Sequence, residues 1–108
     1  MGEAVRICGP QDVPAGEARR FAVDDRLVAV VNLGEEGFRA VDAVCSHERY
    51  YLDEGEVDVD LETIECPKHG STFDLNTGAP RSLPAIKPVD VFPVTLTDDD
   101  VLIEVGTT

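Results

Sequence analysis

Of 108 residues only three are cysteine and two histidine, and the nine basic side chains are outnumbered by twenty-two acidic ones. So few cysteines, in an odd number, exclude the disulfide framework of a small secreted domain and assign the thiols to a reducing compartment or to a metal. A net charge of −13 repels nucleic-acid phosphates and anionic lipid headgroups and favours a protein partner with a basic surface. No apolar run reaches the roughly 18–20 residues of a membrane-spanning helix. The start, MGEAVRICGP, lacks the basic-then-apolar layout of a secretory signal, so the expectation is a cytoplasmic protein. Helical periodicity is also missing, because Gly or Pro interrupts every stretch of a dozen residues; a turn of helix after His47 is the most to expect. Nor is there a Ser/His/Asp set or a catalytic pair of carboxylates. One domain of this length holds a modest core and no large substrate cavity, so nothing marks the chain as an enzyme by itself.

What is present is a balance of 43% hydrophobic and 29% charged residues, which excludes a disordered tail. Apolar, β-favouring runs cover residues 5–7, 21–23, 27–33, 38–44, 63–65, 89–96 and 101–105. Segments such as GPQDVPAG, LGEEG, DLNTGAP and TDDD separate them. Short strands punctuated by turn residues predict an all-β sandwich or barrel. The runs outside 42–85 form one framework, and the loop-rich middle reads as an insertion into it.

Both histidines and two of the cysteines lie in that insertion, in CSHERYYLDEGEVDVDLETIECPKHG. They form two groups, Cys45-Ser46-His47 and Cys66-Pro67-Lys68-His69, with eighteen residues between His47 and Cys66. Thiolate and neutral imidazole both bind transition metals, so the set invites a tetrahedral zinc site or an iron–sulfur cluster. Zinc fingers keep their cysteines together and their histidines together, whereas each pair here is mixed with Cys first. A binuclear cluster suits that order, since each loop then offers its cysteine to a buried iron and its histidine to an outer one. A structural zinc module, or buried thiols beside surface histidines, are the alternatives.

C-x-H followed by C-x-x-H-G at this separation resembles the signature of the Rieske [2Fe-2S] family. The run from Cys66 to Asp74, continued by Leu75-Asn76-Thr77-Gly78, is similar to the family's second cluster loop. With Ser82-Leu83-Pro84 the likeness extends over nearly the whole chain, to the small Rieske ferredoxins of bacterial ring-hydroxylating oxygenases. The resemblance implies one all-β Rieske domain over 1–108. Its antiparallel β-sandwich framework, 1–41 and 86–108, would carry an inserted cluster-binding subdomain at about 42–85. It also implies one [2Fe-2S] cluster held by Cys45, His47, Cys66 and His69, with Gly70, Ser71 and Phe73 around it and Pro84 in a loop that covers it.

Respiratory members of the family have two further cysteines joined as a disulfide, where Tyr50 and Lys68 stand here. They also have a Ser and a Tyr whose hydroxyls bond to sulfur; Ser71 matches the first and Phe73 replaces the second. With two imidazoles the oxidised core is neutral and accepts an electron readily, and fewer hydroxyls lower the potential within the class. A midpoint in the lower part of the roughly −150 to +300 mV range is therefore expected.

The implied role is a monomeric one-electron carrier from a flavin-dependent NAD(P)H reductase to a terminal non-haem iron oxygenase, each docking through a basic surface. Competing roles are a nitrite reductase small subunit, a redox sensor or a cluster-assembly accessory. Many nitrite reductase small subunits lack the ligands, so the intact set counts against that one. Gly55 and Gly78 fall in or beside the loops as close-approach or turn glycines. Tyr50 and Tyr51 suit either a docking patch or packing beneath the first loop. Cys8 reads as a buried core thiol. The acidic stretches DEGEVDVDLE and DDD suit solvated faces or steering of a basic partner.

Overall fold

The computed structural model describes residues 4–23, 25–45, 50–68, 70–82 and 87–104. Ten strands are found among them, all paired antiparallel: β1 (Ala4–Cys8), β2 (Ala18–Val23), β3 (Arg26–Asn32), β4 (Phe38–Asp42), β5 (Val57–Asp58), β6 (Thr63–Glu65), β7 (Thr72–Asp74), β8 (Val91–Phe92), β9 (Val94–Leu96) and β10 (Val101–Glu104). They form three sheets, in the orders β1-β10-β9, β2-β3-β4-β8 and β5-β6-β7. Helix is confined to three short 3-10 turns, over Pro10–Asp12, Gly34–Glu36 and Leu52–Glu54. The turn expected after His47 falls on 46–49, outside the described residues.

The middle sheet explains the most apolar run of the chain. Val28, Ala29, Val30 and Val31 of β3 are all fully buried, because cores cover both faces of their sheet and the usual in–out alternation disappears. Period-2 geometry still sorts them. Ala29 and Val31 join Val41, Leu52, Ile64, Phe73 and Leu75 on one side. Val28 and Val30 join Cys8, Val13, Phe92, Val101 and Ile103 on the other. Burial of a side chain such as Phe73 or Leu52 contributes about 1.5–3 kcal/mol. The first core thus fastens β5-β6-β7 to the middle sheet, and the second fastens β1-β10-β9.

Two differences from the sequence-based strands have physical causes. The run 89–96 is broken at Pro93 into β8, which pairs with β4, and β9, which pairs with β10. Proline offers no N–H to a ladder, and here the chain changes sheet. Strands β5 and β7, two and three residues long, lie in segments that read as loop. No alternation can be recognised over so few positions.

Candidate metal centre

Each Cys/His group belongs to a hairpin, and both hairpins close in the same way. In the first, the Leu52 amide donates to the Ala43 carbonyl at 2.7 Å, Val44 bridges Tyr51, and the Cys45 amide donates to the Tyr50 carbonyl at 2.9 Å. In the second, β6 and β7 pair Glu65 with Thr72, and the Cys66 amide donates to the Ser71 carbonyl at 2.7 Å. Both cysteines therefore end an outgoing arm, each bonded to the residue five positions on. The Gly70 amide also donates to the Cys66 carbonyl at 3.1 Å. Gly70 has φ +75, a left-handed turn that glycine enters without steric cost.

Cys45 and Cys66 are 4% and 1% exposed, and neither is in a disulfide. Both side chains belong to the core that contains Leu52, Ile64, Phe73 and Leu75. Cys8 is buried too, but in the opposite core, across the middle sheet. Burial pushes its thiol pKa up, as does the charge of Asp12, with Arg6 pulling the other way. Cys8 is thus a protonated packing thiol and no part of the Cys/His set. Two buried thiols at matching stations of adjacent hairpins fit the two thiolate ligands of one iron. His47, His69 and Pro84, which the resemblance places in a loop over the cluster, lie outside the described residues.

The residues around Cys66 are fixed from both sides. Phe73 is fully buried and cross-paired with Ile64, so it is a core residue of β7 with no polar role; Ser71 is equally buried. Beyond β7 the chain folds back along it. Phe73 bridges Pro80, the Arg81 amide donates to the Thr72 carbonyl, and Ser82 Oγ accepts the Thr72 amide at 2.9 Å while lying 3.4 Å from the Gly70 carbonyl oxygen. This tie through Ser82 anchors the start of the segment that leads to Pro84. Burial raises the pKa of Asp74, but the amides of Asn76 and Thr77 and the Arg81 guanidinium outweigh it and hold the carboxyl below its ordinary value. On the other side, Gly55 leaves no room for a side chain, since a Cβ there would lie 1.6 Å from the Glu65 carbonyl oxygen.

The two tyrosines have separate surroundings. The Arg20 guanidinium of β2 lies 3.7 Å from the centroid of Tyr51 and 3.8 Å from both Asp53 Oδ1 and Glu54 Oε2, so the framework grips the returning arm of the first hairpin. Tyr50 is 37% exposed, with Lys68 Nζ of the second hairpin 5.4 Å from its ring centroid. Neither contact has a sequence signal, because both join residues far apart in the chain. Part of the acidic stretch is structural as well. Asp58 caps the turn at Leu61, and Glu62 bonds Asn76 at 2.9 Å and Arg39 at 3.3 Å.

The family model of the Rieske [2Fe-2S] domain matches residues 3–93. The ferredoxin subunit of 3-phenylpropionate/cinnamic acid dioxygenase from Escherichia coli (strain K12) is 38% identical over 100 residues, covering 93% of this chain and 92% of that protein. Among solved structures, the ferredoxin of carbazole 1,9a-dioxygenase from Nocardioides aromaticivorans IC177 aligns with a TM-score of 0.88 at 34% identity, over 94% of this chain and 96% of that one. A chain of the complex of reduced oxygenase and oxidized ferredoxin in carbazole 1,9a-dioxygenase aligns with a TM-score of 0.83 at 34% identity, over 94% and 92%. By fold, by its two matched cysteine hairpins and by these likenesses, the chain belongs to the Rieske [2Fe-2S] domain family, whose cofactor is one Rieske-type [2Fe-2S] cluster.

Proposed function

We propose that this chain is the ferredoxin of a ring-hydroxylating oxygenase system, taking one electron at a time from a flavin-dependent NAD(P)H reductase and passing it to a terminal non-haem iron oxygenase. The observation that carries this reading is the pair of identically closed hairpins with buried thiols, in a chain similar over nearly its whole length to dioxygenase ferredoxins. Cys45 and Cys66 would hold the inner iron, and His47 and His69 the outer one. Bound there, the cluster accepts and returns a single electron.

The chain's own residues supply the rest. The apolar wall of Leu52, Ile64, Phe73 and Leu75 keeps water from the thiolate side. Closure at Cys45 and Cys66 fixes where the sulfurs point. Residues 42–85 act as the cluster-binding subdomain, and 1–41 with 86–108 as the framework that carries it. No helix among the described residues is long and apolar enough to cross a membrane; a monomer working in the cytoplasm is part of the proposal. The oxygenase as partner is supported by the carbazole 1,9a-dioxygenase complex, in which reduced oxygenase and oxidized ferredoxin are found together.

Anaerobic stopped-flow mixing tests the reading. The chain should be reduced by an NAD(P)H-dependent flavoprotein reductase with one electron per chain, then reoxidised by the terminal oxygenase. Reduction without any transfer to an oxygenase would oppose the proposal.

A further inference from the structure

We propose that Lys68 and Tyr50 form a clasp between the two cluster hairpins and act as positioning residues for the cluster; the inference rests on the cluster reading above. Each hairpin is closed by its own backbone at Cys45–Tyr50 and at Cys66–Ser71, and these bonds do nothing to hold one tip against the other. A cofactor whose ligands are divided between two loops is released when the loops part. Lys68 lies in the tip of the second hairpin and Tyr50 at the closure of the first, and the ammonium stands 5.4 Å from the ring centroid. That is within the roughly 6 Å over which a cation is attracted to an aromatic face. Lys68 is two residues beyond one cysteine and Tyr50 five beyond the other, so the contact spans the two loops beside the thiols. Neither residue is spent on the core, since Tyr50 is 37% exposed and Lys68 is exposed as well.

The attraction needs a cation and a ring face. It does not need the tyrosine hydroxyl or the particular shape of the ammonium, and that separates a clasp from general packing. The test follows bleaching of the visible cluster absorbance in excess chelator for wild type, Tyr50→Phe, Tyr50→Leu, Lys68→Arg, Lys68→Met and the double variant Tyr50→Leu/Lys68→Met. The clasp predicts that the leucine and methionine variants each lose the cluster about two- to fivefold faster, while the phenylalanine and arginine variants match wild type. It also predicts that the double variant is no faster than the faster single one, because both remove the same interaction. Tyr50→Phe as labile as Tyr50→Leu, or a double variant equal to the product of the singles, would overturn the clasp with the cluster reading intact. A wild-type chain that binds no iron would overturn both.

Discussion

Asp53 places a carboxylate where water hardly reaches it. Its side chain is 12% exposed, and Oδ1 has no hydrogen-bond partner among the described residues. Burial pushes its pKa up, while Arg20 at 3.8 Å and the residue's own amide pull it back only in part. Because the folded-state pKa is raised, the folded protein binds the proton more tightly than the unfolded chain does. Stability from this group therefore falls as pH rises from the ordinary carboxylate value of about 3.9 through the raised one, and the penalty is complete above it. Asp53→Asn should stabilise the protein by about 1 kcal/mol at pH 8, the removed penalty exceeding the loss of a long ion pair with Arg20. The gain should shrink as pH is lowered towards the ordinary carboxylate value of about 3.9. Urea unfolding of both proteins across that range is the check, and a constant difference would refute the assignment.

At the scale of elements, the two hairpins depend on close backbone approach. Gly55 has φ −91, a value open to any residue, so glycine is required there by space alone. A methyl group would meet the Glu65 carbonyl at 1.6 Å and Pro67 Cδ at 3.3 Å, on both sides of Cys66. Gly55→Ala should cost at least about 1–3 kcal/mol, the usual range for overpacking. Since the residue displaced is a cluster-loop neighbour, iron content should fall along with the thermal midpoint; full iron occupancy at an unchanged midpoint would contradict the packing. The sequence made the Cys/His groups legible because their residue types are rare and their spacing regular. It concealed the shared hairpin closure, since β5 and β7 are too short to show a period. Tyr50 and Lys68 stood out by what they replace in respiratory relatives; that they touch is a fact of the fold. The acids of 53–62 read as solvated charge, yet Asp53 and Glu62 meet Arg20 and Arg39 of the framework. A cation twenty-three or more residues away leaves no local trace.

For the whole molecule, the middle sheet is covered on both faces, which made β3 the most readable strand and divided the cysteines between two cores. An excess of thirteen negative charges should steer encounter with a basic reductase, so the second-order reduction rate should fall by about tenfold or more as salt is raised from 10 to 200 mM. A rate independent of ionic strength would show that the excess serves solubility alone. The central claim, one Rieske-type cluster carrying one electron in this acidic fold, is tested most directly by a potentiometric titration followed by electron paramagnetic resonance of the reduced protein. The prediction is a Rieske-type signal that titrates with one electron per chain at a midpoint in the lower part of the class, below about +100 mV. A colourless, zinc-loaded protein without that signal, or a midpoint well above this value, would contradict it.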